Sequence, residues 1–208
     1  MYKFKNIVTD DSAITRILGS PHPIAANKHL DMLDKHSKTF IARSPFVLVG
    51  SSDNDGNFDI SPKGDPAGFV AVLDDHTLVI PERPGNKRAD TFHNVLKNPA
   101  VGLIFMIPGH KETLRVSGKA LIIQDEDILS RLAVKGKVPK LGIAIDVTEV
   151  FFHCAKCIVR SKLWKPEEWP TLKGIPTIAE AISDNSNTKI PKAILHAAVV
   201  ADEKLNLY

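Results

Sequence analysis

Apolar positions along the chain follow two different periods. Near the N-terminus the spacing is helical. Asp11-Ser12 caps a short helix over 13–18, which Gly19-Ser20-Pro21 stops, and Ala26, Leu30 and Leu33 share one stripe of a second helix predicted over 24–38. From Phe40 the period changes to two. A strand over 46–49 runs into Asp53-Asn54-Asp55-Gly56-Asn57 and returns over 58–60, and runs at 68–73 and 77–80 flank the turn Asp74-Asp75-His76. A further run over 101–107 turns at Pro108-Gly109. The strand predicted over 113–123 alternates cleanly: Leu114, Val116, Ala120 and Ile122 face one way, and Arg115, Ser117 and Lys119 the other. A short helix over 126–134, a last strand over 141–152 and two tail helices over 178–183 and 191–204 complete the pattern. Six or seven hairpin-linked strands predict a mainly β, α+β fold: an antiparallel barrel or sandwich with peripheral helices. No repeat or linker interrupts it. The expectation is one domain, with a helical segment over 1–39, a strand-rich core over 40–164 and a helical extension over 165–208.

Composition narrows the function classes. A hydrophobic share of 43% and a charged share of 25% over 208 residues describe a folded chain. The longest apolar runs, 101–107 and 197–201, fall far short of the roughly 18 residues that a membrane span needs, and MYKFKNIVTDDS lacks the apolar core of a secretory leader. Two cysteines, Cys154 and Cys157, make no disulfide framework, so the expected setting is the reduced cytoplasm. A formal charge of +3 is too small to imply nucleic acid. What matters is where the bases sit.

They gather after the strand at 77–80. In Ile80-Pro81-Glu82-Arg83-Pro84-Gly85-Asn86-Lys87-Arg88 a Pro/Gly turn leads to a helix predicted to begin near Asn86 and to stop at Asn98-Pro99. Lys87 and Arg88 then fall in the first helical turn, with Arg83 just upstream. That end of a helix already carries partial positive charge, so these bases either hold an anion such as a phosphate or extend into water. Charge placement alone does not choose between the two. A second basic site, Ser61-Pro62-Lys63-Gly64-Asp65-Pro66, follows a strand but lacks P-loop glycine spacing.

Four segments taken together resemble a known family. They are 61–70, 73–88, 98–105 and Glu112-Thr113-Leu114-Arg115-Val116-Ser117-Gly118, and the order is similar to that in the pyridoxamine 5′-phosphate oxidase-like split-barrel flavoproteins. The similarity extends over roughly 40–164 and is nearest to the oxidase-related FMN-binding branch; 153–156 and 160–164 also fit that branch. The resemblance implies a split barrel, a homodimer with FMN at the subunit interface, and flavin hydride chemistry on a small-molecule substrate. Carried over by position, it puts Asn86, Lys87, Arg88 and Lys63 on the flavin phosphate, with Arg83 beside them. Ile80 and Pro81 would lie along the ring or ribityl chain, and His153, Lys156 and Trp164 on the flavin or substrate side. The true vitamin B6 oxidases end in an Arg/His pair that grips the substrate phosphate. This chain ends Ala-Asp-Glu-Lys-Leu-Asn-Leu-Tyr208, a departure that removes the basis for that activity. The alternatives are a flavin carrier or sensor without turnover, a haem module using His153, and a deazaflavin in place of FMN.

The remaining candidates have structural readings. His153-Cys154-x-x-Cys157 has no second cysteine pair for zinc and follows a strand rather than opening a helix, so buried cysteine packing is expected and no metal. Trp164 and Trp169, beside prolines, either cap a flavin pocket or anchor the tail. His22, His29, His36 and His93 have no ligand spacing with carboxylates and read as surface residues.

Overall fold

Seven strands form one antiparallel sheet in the computed structural model of the chain, which describes residues 1–23, 28–185 and 190–208. In chain order they are β1 (Phe46–Ser52), β2 (Phe58–Gly64), β3 (Ala71–Val72), β4 (Thr77–Pro81), β5 (Ala100–Met106), β6 (Thr113–Ile123) and β7 (Gly142–His153). Their order across the sheet is β2-β1-β5-β6-β7-β4-β3. Alternation turns Val47, Val49, Leu103, Phe105, Leu114, Val116, Ile143 and Ile145 inward, where they form the core with Leu78 and Ile80 of β4. This is the split barrel that the sequence resemblance implies. Helix α1 (Asp11–Leu18) lies near the N-terminus, α2 (Lys35–Arg43) closes on the core through Phe40 and Ile41, and α3 (Asp90–Lys97) does so through Phe92 and Val95.

Several expected elements shift. The helix predicted over 24–38 is absent over 28–34; its first residues, 24–27, lie outside the described residues. Leu30 instead exchanges backbone bonds of 3.0 and 2.8 Å with Val150, laying this segment along β7. Leu33 is buried while Leu30 is largely exposed, so the two do not share one apolar stripe as the helix would require. Helix α2 starts at Lys35 because Asp34 caps it, accepting from the Ser37 amide at 2.8 Å, and it runs past Phe40, so strands begin only at Phe46. The run at 68–73 keeps only β3, since Gly68 turns at φ +84°. The helix predicted over 126–134 splits into α4 (Glu126–Leu129) and a 3₁₀ turn, Ser130–Leu132. After β7 come α5 (Lys156–Ser161) and two tail helices, α6 (Ile178–Asn185) and α7 (Lys192–Leu205), which pack on each other.

One irregularity redirects half of β7. Ser117 pairs with Glu149 but Gly118 pairs with Val147, so Thr148 is an extra residue opposite that step. Before the bulge the odd positions Ile143, Ile145 and Val147 face the core; after it Val150 does, with Phe152 packed against it. Glu149, Phe151 and His153 are thereby turned to the outer face beside Arg115. At Gly118 a Cβ would come 2.3 Å from the Asp146 carbonyl oxygen, so the strands approach there as only glycine allows.

Candidate functional site

A cleft of about 460 Å³ lies between edge strand β2, the end of β4 and the loop that leads into α3. Each wall has a local cause. Period two along β2 puts Asp59, Ser61 and Lys63 on one side of the strand, all half-buried, with Phe58, Ile60 and Pro62 on the other. Strand β4 ends where Pro81 pairs with Gly142. The chain then runs irregularly from Glu82 to Ala89 before α3 begins at Asp90.

Lys87 and Arg88 therefore precede the helix, instead of occupying its first turn as predicted. Lys87 (φ 60°) and Ala89 (φ 56°) both adopt left-handed backbone, which extends the loop by a turn. The Arg88 amide donates to Asn86 Oδ1 at 3.0 Å, and Arg88 Nε donates to Asp90 Oδ2 at 2.8 Å. That bond and the Asp90 charge raise the Arg88 pKa. Ala89 occupies the N-cap position and offers no side-chain acceptor to the first-turn amides. The lip of the cleft thus combines uncapped N–H groups with two bases, the donor set that suits an anion.

The charge is more balanced than the sequence suggests. Lys63, Arg83, Lys87 and Arg88 share the cleft with Asp59, Glu82 and Asp90. Glu82 lies 4.0 Å from Lys63; burial raises its carboxyl pKa, and Lys63 partly offsets the rise. Arg83 is already bound. Its Nε donates to Asp65 at 2.5 Å and its Nη2 to the Leu132 carbonyl at 2.8 Å, while Tyr208 donates its hydroxyl to the other Asp65 oxygen at 2.6 Å. The Asp65 side chain is 0% exposed and Arg83 17%. Among the described residues Lys87 makes no ion pair, and of the four bases only Lys63 and Lys87 are without a close carboxylate bond.

The predicted site residues separate into groups. Lys63, Pro81, Arg83, Asn86, Lys87 and Arg88 line the one cleft. Ile80, 1% exposed, points into the core and leaves the wall to its neighbour Pro81. His153, Lys156 and Trp164 are elsewhere. His153 ends β7, Lys156 is an exposed residue opening α5, and Trp164 donates its indole N–H to the His110 carbonyl at 2.8 Å, which fastens the chain after α5 to the 108–110 turn. Cys154 and Cys157 are both exposed, against the expectation of buried packing, and Cys157 lies inside α5 because β7 passes into a helix within three residues. His29, read from the sequence as a surface residue, is exposed and sits 2.7 Å from Glu149. Among the described residues no three His, Cys, Asp or Glu side chains converge as a metal site, and no helix is long and apolar enough to cross a membrane.

Sequence reasoning missed Asp59, which accepts from Thr91 Oγ1 at 3.2 Å, and also Asp65, Glu82 and Tyr208. Period two carried on from Ile60 to Lys63 exposes Asp59; nothing local announces Tyr208.

The sequence model described as pyridoxamine 5′-phosphate oxidase matches residues 33–154. No curated protein matches the chain. Similar solved structures include HupZ of Group A Streptococcus, with 22% identity and TM-score 0.49 over 58% of this chain and 94% of that one. They also include an FMN-binding protein from Syntrophomonas wolfei subsp. wolfei, with 13% identity and TM-score 0.44 over 56% of this chain and 83% of that one.

Proposed function

We propose, from the premise that this chain belongs to the pyridoxamine 5′-phosphate oxidase family, that it binds FMN in the cleft between β2 and the 82–89 loop and acts on a small-molecule substrate in the cytoplasm. The observation that carries the reading is the convergence of Lys63, Lys87 and Arg88 with uncapped amides on one cleft of about 460 Å³, a size suited to a small cofactor. These residues fit a phosphate monoester. Lys63 and Lys87 supply charge without a close carboxylate, Arg88 remains at the lip, and Asn86 holds the loop by accepting from the Arg88 amide. Pro81 offers an apolar wall to a ring or ribityl chain. Arg83 takes the role of holding the loop, since Asp65 and Leu132 use its Nε and Nη2. A bound flavin supplies hydride transfer at its N5; the chain's residues bind, orient and shield it.

A homodimer suits the outer face of the sheet. Leu48 on β1 stands level with Pro62 on one side and Ile104 on the other, and Gly102 in the next row leaves open space above the backbone. This apolar row, bordered by Arg115 beyond Ile104, matches a second copy of the chain, with the flavin near the seam.

The test is Lys87→Ala with Arg88→Ala. The double variant should purify folded but colourless, with flavin affinity lowered at least tenfold in a fluorescence titration. Undiminished FMN stoichiometry in it refutes the site. Mass identification of whatever the natural protein carries separates FMN from a deazaflavin or haem. Stopped-flow mixing with NADH or NADPH separates an oxidoreductase, whose flavin bleaches, from a carrier, whose flavin does not.

A further inference from the structure

Bases without acidic partners gather at a second place, on the outer face of β6 and β7. The bulge at Thr148 turns Phe151 and His153 to the same face as Arg115, which pairs with Phe151 across the strands. Lys28 and His29 then lie against Phe151. Four basic side chains surround the Phe151 ring: Lys28 Nζ is 4.8 Å and Arg115 Cζ 5.3 Å from its centroid, and the His29 and His153 rings are 4.2 and 5.0 Å away. Glu149 on this face is taken by His29 at 2.7 Å, and Asp34 lines the same hollow as Lys28 and Phe151. Among the described residues Lys28, Arg115 and His153 make no ion pair. Lys28 spends one N–H on the Phe152 carbonyl at 2.9 Å, and among the described residues the Arg115 guanidinium makes no hydrogen bond while standing over the Phe151 ring.

The consequence is an excess of positive charge on this face. Burial, then Lys28, then Arg115 lower the His153 pKa, so its surroundings disfavour the imidazolium. In the main cleft two of the four bases, Arg83 and Arg88, are each met by a carboxylate. The two places share no residue, and from the Pro81–Gly142 rung to Phe151 the β7 strand covers about 30 Å at roughly 3.3 Å per residue.

We propose that Lys28, Arg115 and His153 form a second anion site that takes a small oxyanion group, the phosphate or carboxylate of a small molecule. The oxyanion would accept from the free Lys28 N–H groups, from the Arg115 fork and from His153, replacing repulsion among three bases by charge-assisted bonds. Phe151 gives the site an apolar floor. The proposal does not depend on flavin binding in the cleft.

The experiment is an NMR titration of the His153 ring against pH in the full chain, assigned by loss of its signal in His153→Asn. One series contains inorganic phosphate, one acetate and one chloride, at equal ionic strength. A bound oxyanion stabilises the imidazolium, so the His153 midpoint should rise saturably by about one pH unit. A rise in phosphate alone assigns the group as phosphate; a rise in acetate too extends it to carboxylates. In Lys28→Gln/Arg115→Gln the midpoint should rise without any added anion and then respond to none. Arg115→Gln alone serves if the double variant fails to fold, with the response weakened several-fold. A midpoint that moves no further in phosphate or acetate than in chloride overturns the proposal. An undiminished response in the variants does so as well.

Discussion

Replacing Asp65 by asparagine isolates the bond that holds the cleft loop. The substitution keeps the shape but removes the charge, and the new amide offers only one acceptor oxygen where Arg83 Nε–H and the Tyr208 hydroxyl both donate. One donor must then face the amide NH₂. Removing one partner of a fully buried ion pair costs about 3–5 kcal/mol, because the other charge remains in place. Asp65 is 0% exposed but Arg83 17%, so water recovers part of the loss and the lower end, about 3 kcal/mol, applies. With a urea slope of about 2–3 kcal/mol/M, the unfolding midpoint should fall by about 1 M at unchanged slope. Circular dichroism in urea measures it. The double variant Asp65→Leu/Arg83→Met should recover at least half of the deficit of Asp65→Leu alone, since no unpaired guanidinium is left. A midpoint within about 0.2 M of the parent for Asp65→Asn, or additive losses in the double variant, would falsify the account of Arg83 as a neutralised strut.

Two further substitutions probe the charge balance and the bulge. Burial raises the Glu82 pKa, so its carboxyl weakens the fold progressively as pH rises from the ordinary carboxylate value through the raised one. Glu82→Gln should therefore melt higher at neutral pH, with the advantage vanishing in acid. Freeing Lys63 from an acid 4.0 Å away should also tighten FMN about fivefold, near 1 kcal/mol, in a fluorescence titration; weaker binding refutes the reading. Gly118→Ala puts a methyl 2.3 Å from the Asp146 carbonyl and 2.9 Å from Ile145 Cγ2, so it should cost about 2–3 kcal/mol and lower the melting temperature by about 5–10 °C. An unchanged melt would mean that β6 and β7 part there without cost.

What the sequence reveals tracks how local the cause is. Strand β6 is legible because each of its residues reports one face, and burial follows the alternation of Leu114 and Val116 against Arg115. In β7 the apolar phase slips from odd positions through Val147 to even ones from Val150; a single run over 141–152 has no place for Thr148, and so hides the turn of His153 to the outer face. The loop before α3 reads as helix because Lys87 and Ala89 are neither Gly nor Asn, the residues that ordinarily announce left-handed backbone. The bases of the cleft are legible, but the acids that offset them are not. Asp65 and Tyr208 lie 143 residues apart and meet only in the folded chain. Over 28–34 the predicted helix gives way to a partner distant in sequence: the Leu30 backbone pairs with Val150, which nothing local announces.

Strand β2 has one neighbour, β1, and so leaves a border of the sheet open. Its Phe58 and Ile60 are 67% and 61% exposed, a combination that invites strand-on-strand accretion in a crowded cell. Pro62 interrupts that border. Lacking an amide hydrogen, it denies an incoming strand a donor at its rung, so growth of a cross-β stack is checked there. The same proline sits one residue from Lys63. A single position thus protects the chain from fibre formation while its neighbour is kept for the cleft.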